Sequence, residues 1–386
     1  MLIPCKNGFL FFLLCGFLLL PANVAFAHGT AEHLDPELFI SWNVWLHLGL
    51  QWTHLIAFAL WLGLTGGTLL LGIKTSLDHL LYSSWLLFLV LLATGSYNME
   101  FSAGISETPS LFLLPLLDQI PYGVTYTLVL AVKVGLYSLA ILLTFVITVL
   151  HMRRQVPEAR LRQIFLLGGS ALGTLIVLAT AVVLFYHEVA DLWPTVVHSL
   201  GGILGPEGPR GRAVVSLDTP PPNDFRLLVS PAAWADITLR WVHLLGFGLW
   251  LGGMLVAVAF GGVPPKKLLW YLWTLLMVQI LSGIGSVGRW TPFYITPYIW
   301  NFSALSHVRF GWTYTLFLTV KEALVIAVIG LMLAMTHRYL KVSRSKVEHR
   351  AVHFRPYLFA EITLGLLIAY IMMMVLLVHE GVDHAL

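Results

Sequence analysis

Eight long apolar stretches dominate the 386-residue sequence. Each has about 20 residues or more, the length that an α-helix needs to cross the hydrocarbon core of a bilayer. Hydrophobic residues make up 58% of the chain and charged residues 11%, which excludes an ordinary soluble domain and predicts an all-α integral membrane protein. A net charge of +3 without a basic stripe argues against nucleic-acid binding. The predicted spans are residues 43–72, 79–98, 122–150, 164–187, 234–262, 268–287, 311–336 and 357–379.

The first 27 residues have the features of a cleavable signal peptide. Lys6 precedes a short apolar region, and Ala25-Phe26-Ala27 forms a small-x-small cleavage site, so the mature chain is expected to begin at His28. The alternative is an uncleaved anchor. Both cysteines, Cys5 and Cys15, lie in this segment, and the processed chain would therefore have no thiol. Any metal would then be held by histidine, methionine, carboxylate or backbone groups.

Basic residues are distributed unequally between the two sets of connecting loops. One set carries thirteen lysines and arginines and the opposite set five. The positive-inside rule assigns the first set to the cytoplasm. With eight spans, both mature termini are then expected on the periplasmic side of a bacterial inner membrane.

The sequence contains one internal duplication. Gln51-Trp52-Thr53-His54-Leu55 recurs as Arg240-Trp241-Val242-His243-Leu244, a separation of 243 − 54 = 189 residues. Two further matches have similar separations. Lys133 matches Lys321 (321 − 133 = 188), and His187 matches His379 (379 − 187 = 192). Because the repeated unit contains four helices, an even number, the two copies are expected to have the same orientation. The predicted parts are a signal peptide (1–27), a periplasmic tail (28–41), a first four-helix repeat (42–187), a periplasmic linker (188–233) and a second repeat (234–386).

His54 and His243 occupy equivalent positions, each a little inside the outer surface on the first helix of its repeat. Imidazoles inside a span are costly and often mark a ligand, proton or cofactor site. The structural alternative is a histidine that simply hydrogen-bonds between helices. Recurrence with the same flanking residues favours the functional interpretation.

A His-Glu-x-x-Asp sequence ends the fourth helix of each repeat on the same side. In a four-helix bundle these histidines could approach the histidine of their own first helix, forming two related metal sites. A zinc peptidase is disfavoured because the fourth position is aspartate and not histidine. The residues concerned are His187, Glu188, Asp191, His379, Glu380 and Asp383.

Each repeat has one lysine about ten residues into its third helix, Lys133 in the first repeat and Lys321 in the second. An ammonium at that depth should face the bundle interior, where it could repel a cation, pair with a carboxylate or hold an anionic group such as a haem propionate. A structural role is the alternative.

If cleavage follows Ala27, the new α-amine and the imidazole of His28 form a further chelating pair suited to Cu(II).

Two helices of the second copy resemble the CopD family of copper-resistance inner-membrane proteins. One is the helix of His243, with its Leu249-Trp250-Leu251-Gly252-Gly253 sequence, and the other is the later helix with Gly311-Trp312 and Lys321. The resemblance covers most of the second copy and, more weakly, the first. It implies copper binding and transport between periplasm and cytoplasm, often beside a small periplasmic copper carrier of the CopC type, and leaves enzymatic activity uncertain. The His-Glu-x-x-Asp pair is not part of that resemblance.

The same histidines and lysines are also similar to those of the HemJ type of membrane protoporphyrinogen oxidase, a four-helix protein associated with haem b. This resemblance implies that His54 and His243 are axial ligands, with His187 and His379 as possible opposite ligands. The protein would then be a haem-dependent electron-transfer protein or oxidoreductase. Other transport or assembly roles also remain open at this stage.

Overall fold

The computed structural model describes residues 42–101, 122–191, 228–286, 311–344 and 354–383. For residues 187–191 and 379–383 it describes the backbone but not the side chains. The predicted signal peptide, the tail with His28 and most of the linker lie outside the described residues. Within the described part of the chain, every secondary-structure element is a helix.

Among the described residues, eight helices contain a stretch long and apolar enough to cross a membrane, and the predicted all-helical class is confirmed for this part of the chain. Helix α1 is Trp42–Leu62 and continues through a π-helical segment, Gly63–Gly67, into Thr68–Leu71. The others are α2 (Leu77–Phe101), α3 (Gly123–Met152), α4 (Glu158–Asp191), α5 (Pro231–Phe260), α6 (Pro265–Ser286), α7 (Gly311–Arg344) and α8 (Arg355–Asp383).

Several helices extend beyond the apolar stretches that predict them. Helix α4 begins at Glu158, six residues before the predicted span, and α7 continues to Arg344, eight residues past it. Hydrophobicity marks the part of a helix that can lie in lipid, whereas charged residues can continue the same helix into the headgroups or water.

We call the end of the bundle at which α1 begins, at Trp42, the outer end, and the end at Leu71 the inner end.

The first helices of the two sequence copies, α1 and α5, cross in direct backbone contact. A Cβ atom added to Gly63 would overlap the backbone of Gly252, and one added to Gly252 would overlap the carbonyl oxygen of Ala59. Gly63 and Gly252 are equivalent in the duplicated sequence, since 252 − 63 = 189. Only glycine permits this approach, so the repeated Leu-Trp-Leu-Gly sequence marks the crossing point.

Two equivalent tryptophans form hydrogen bonds between the two halves of the chain. The indole Nε1 of Trp52 in α1 donates to Leu366 O in α8 at 3.0 Å, and Nε1 of Trp241 in α5 donates to Thr174 O in α4 at 3.2 Å. Each first helix is thus bonded to the fourth helix of the opposite half. These tryptophans lie two residues before His54 and His243 in the sequence.

The second and third helices of each half are joined by a repeated hydrogen bond. Trp85 Nε1 in α2 donates to Thr148 Oγ1 in α3 at 3.2 Å, and Trp273 Nε1 in α6 donates to Thr336 Oγ1 in α7 at 2.9 Å. Both residues of the second pair follow those of the first by 188 positions, since 273 − 85 = 336 − 148 = 188. Helix pairing therefore has the same register in both halves.

Candidate metal or cofactor site

His54 is half-buried in α1 and oriented by a hydroxyl group of α2. Its Nδ1 lies 2.9 Å from Thr94 Oγ1. The hydroxyl of Thr94 itself donates to Val90 O at 2.7 Å, one turn earlier in α2. Because a hydroxyl has one proton, Thr94 accepts from the histidine, and Nδ1 of His54 carries the hydrogen. The neutral imidazole then has its lone pair on Nε2.

His243 has the same arrangement in the second copy. Its Nδ1 lies 3.0 Å from Ser282 Oγ in α6, and that hydroxyl donates to Val278 O at 2.6 Å. Each imidazole also has a backbone hydrogen bond, with Leu91 for His54 and Gln279 for His243, residues whose carbonyl groups lie beside the same hydroxyls. No other hydrogen bond to either ring is found among the described residues. A partner that holds Nδ1–H and leaves Nε2 open is the usual support for a histidine that binds a metal.

A glycine lies against each imidazole. A Cβ added to Gly95 would lie 3.3 Å from Cε1 of His54, and one added to Gly283 would lie 3.4 Å from Cε1 of His243. Small residues at these positions allow close helix packing. They also make room for the histidine ring, beside the hydroxyl that orients it.

The lysines of the third helices lie near the two histidines. The positive charge of Lys133 acts on His54, and that of Lys321 acts on His243. Both lysines are partly buried. The two copies differ in one respect, since the carboxylate of Glu322 interacts with Lys321. Each imidazole therefore has an ammonium group close by.

An aromatic ring completes the surroundings of the first site. Tyr137, one turn after Lys133 in α3, has its ring centroid 6.4 Å from that of His54 and 6.0 Å from that of Phe58. The His54 site is thus formed by α1, α2 and α3.

His47 is buried at the next level outward in α1, and its Nδ1 has no partner among the described residues. Its ring centroid lies 6.4 Å from that of Tyr97 in α2. The equivalent residue in α5 is Asp236, whose Oδ2 accepts from Arg240 Nε at 2.6 Å. The outer parts of the two copies therefore differ, although the His54 and His243 sites match.

The His-Glu-x-x-Asp sequences lie at a different level from these histidines. A Cβ added to Gly169 in α4 would lie 2.7 Å from Cγ2 of Thr65 in α1, which sets the two helices in register. From that contact His54 is 65 − 54 = 11 residues outward and His187 is 187 − 169 = 18. His187 is thus seven residues, or about 10 Å, farther out, in addition to the separation between the helices. The backbone of α4 therefore continues outward past the level of His54.

The outer parts of the fourth helices also pack crosswise. Phe185 and Tyr186 of α4 pack with Ala233 and Ile237 of α5. Met374 of α8 packs with the start of α1. The outer part of α4 thus packs with α5, and the outer part of α8 packs with α1. The side chains of His187 and His379 lie outside the described residues, so their approach to His54 and His243 stays a prediction.

No group of three or more histidine, cysteine, aspartate or glutamate side chains that could hold a metal occurs within the described part of the chain. The side chains of six predicted ligands, and the whole of His28, lie outside it. The six are His187, Glu188, Asp191, His379, Glu380 and Asp383.

Sequence reasoning did not identify Thr94 and Ser282 as the partners of the histidines. The available signal was their equivalence, because both precede a glycine and 282 − 94 = 188. It also did not identify Glu361, an acid inside the apolar stretch of α8.

Comparison with known proteins gave no relative. No family model, no curated protein and no solved structure matches this chain.

Proposed function

We propose that the chain is a copper-handling protein of the bacterial inner membrane, built from two four-helix repeats of the same orientation. The observation that carries the proposal is the pair of equivalent histidines, His54 and His243, each with Nδ1–H held by a hydroxyl and Nε2 open. A neutral imidazole nitrogen is a good ligand for copper. Equivalent surroundings in both copies are consistent with two sites of the same kind.

In this proposal copper is the cargo and enters from the periplasm at the outer end. His28, if it is the mature N-terminus, and the His-Glu-x-x-Asp residues provide the first ligands. A CopC-like periplasmic carrier is the proposed donor. His54 and His243 then bind the ion inside the outer half of the bundle.

The nearby lysines limit how tightly a bare cation binds. For any two unit positive charges about 6 Å apart in a medium of effective dielectric constant about 20, the repulsion is about 3 kcal/mol. That corresponds to about a hundredfold in affinity. A transported ion must also leave its site, so Lys133 and Lys321 would favour release.

The same lysines favour a second candidate function, in which each repeat holds haem b. A porphyrin supplies four nitrogen ligands itself, so one histidine per site is enough, and a propionate would be attracted by the lysine. His54 and His243 would be the axial ligands, with Lys133 and Lys321 beside the propionates. Bound haem would supply one-electron transfer, and the protein would then be an electron-transfer protein or oxidoreductase.

Metal analysis and an optical spectrum of the purified chain distinguish the two candidates. Copper without a Soret band supports copper handling. Stoichiometric iron with a Soret band and sharp reduced α-bands overturns it in favour of haem.

Lysine variants give an independent test, because the two candidates predict opposite effects. For copper, Lys133→Met and Lys321→Met remove the repulsion and should tighten binding by up to about a hundredfold. For haem, the same variants lose a propionate partner and should retain less haem. Lys266→Met, an exposed lysine at the inner end of α6, is the matched control and should change neither property.

A further inference from the structure

Glu361 is an acidic residue in the interior of the bundle, in the inner half of α8. Its exposed fraction is 0%, and neither carboxylate oxygen has a hydrogen-bond partner among the described residues. A buried carboxylate without a partner costs several kcal/mol, so the group must either keep its proton or face a cation. Neither the histidine sites nor the contacts between helices account for it.

The residue opposite Glu361 follows from the equivalence of the two halves. Gly173 lies against the ring of Trp61, and Gly365 lies against the ring of Trp250. In sequence these are equivalent pairs, with 365 − 173 = 192 and 250 − 61 = 189. Helices α4 and α1 therefore pack in the same register as α8 and α5.

Glu361 and Met254 lie at the same depth of the bundle, because each is one turn inward of the contact between Gly365 and Trp250. One turn inward from the tryptophan contacts, Gly169 lies against Thr65 in the first half. The same separations lead to Glu361 (169 + 192) and Met254 (65 + 189). Met254 has an exposed fraction of 0%, as Glu361 does.

Helix α7 brings a second thioether to this level. In the first half, a Cβ added to Gly168 of α4 would lie 2.8 Å from Cδ2 of Leu143 in α3. With the 188-residue separation already found for the tryptophan–threonine bonds, Leu143 corresponds to Leu331. Met332, the next residue, has an exposed fraction of 0% and belongs to the same packed cluster as Met254.

We propose that Glu361, Met254 and Met332 form a third binding site, in the inner half of the second copy, for a soft monovalent cation of the Cu(I) class. Thioether sulfurs select soft cations, and one carboxylate neutralises a single positive charge. The first copy has Gly169, Thr65 and Thr144 at the equivalent positions and so lacks these donors. When the cation binds, the carboxyl group releases its proton to solvent, and no electron is transferred.

The inference rests on the proposed copper function and extends it. His243 and Met254 are 11 residues apart in α5, or about 16 Å along the helix. The new site thus lies inward of the histidine site, where a transported ion needs a ligand before it reaches the cytoplasm. This makes the second copy the proposed route and leaves the first without an inner site.

The test uses Ag(I), a redox-inert probe of Cu(I) chemistry, on the full-length chain purified in detergent. We expect Glu361→Gln to lose one equivalent of Ag(I) and the proton released with it. Met254→Leu and Met332→Leu should each lower the affinity for that Ag(I) ion by at least about tenfold. Met152→Leu, which changes an exposed methionine, is the control and should bind as the unmodified chain does.

A His54→Ala/His243→Ala double variant separates this inference from the proposed function. It should keep the Glu361-dependent equivalent while losing the histidine-dependent ones. If copper and Ag(I) binding depend on the histidines but Glu361→Gln, Met254→Leu and Met332→Leu leave both unchanged, the inner site is refuted and the copper function stands. If the unmodified chain binds neither ion, both fail.

Discussion

The hydroxyl partners of the two histidines are the most direct point at which to perturb the candidate sites. Thr94→Val and Ser282→Ala remove the oxygen that accepts from Nδ1 of His54 and His243, at 2.9 and 3.0 Å, while changing the side-chain volume little. Without that acceptor the ring can rotate, and Nδ1–H loses its partner. We expect weaker binding of the group held by Nε2.

The expected size follows from the hydrogen bond itself. A neutral hydrogen bond contributes about 1 kcal/mol, and an unsatisfied half-buried donor costs about 1–3 kcal/mol. A loss of about 1.4 to 2.8 kcal/mol corresponds to between about 10-fold and 100-fold in affinity. This is also the usual effect of removing the outer partner of a metal-binding histidine.

The assay is a competition titration of copper, or of haem if the spectrum shows haem, against a chelator or apo-acceptor of known affinity. Each single variant should weaken one of two binding phases, and the double variant should weaken both. Thr180→Val is the control, because its hydroxyl makes the same kind of bond to Ile176 O in α4, at 2.8 Å. Unchanged affinity in a correctly folded double variant would refute the role assigned to these hydroxyls.

Two further predictions concern stability. Gly252→Ala should strongly destabilise the chain because its Cβ would overlap Ala59 O, whereas Gly330→Ala, with nothing within 4 Å, should be neutral or slightly stabilising; thermal unfolding in detergent measures both. Arg240→Leu should lower the free energy of unfolding by about 3–5 kcal/mol, because it leaves the Asp236 carboxylate, 2% exposed, without its ion-pair partner. The additional change Asp236→Leu should restore most of that stability. Equal stability of the single and double variants would contradict the second prediction.

Much of the helical architecture could be predicted from hydrophobicity and length alone, because each span must satisfy its backbone within one helix. The internal duplication also predicted His54 and His243 as equivalent residues, and each lies at hydrogen-bond distance from a hydroxyl of the next helix. It could not assign roles within the repeated motif. Tryptophan and glycine recur there because they join the two halves, and this depends on which helices are neighbours.

The remaining parts of the site depend on distances between helices, which one sequence does not contain. Thr94 becomes a partner of His54 only because α2 packs against α1 in one register. The predicted approach of His187 to His54 likewise depends on how α4, which continues to Asp191, packs along α1, and it stays a prediction. Glu361 was missed because a single acid has no equivalent in the first copy, where the residue is Gly169.

The most direct test of the central claim is the amount of copper and haem bound per chain in four purified proteins: the unmodified chain, His54→Ala, His243→Ala and the double variant. Two equivalent sites predict that each single variant loses one equivalent of the same group and that the double variant loses two, with all four proteins folded. A double variant that retains the full amount would contradict the account, because His54 and His243 would then be structural residues.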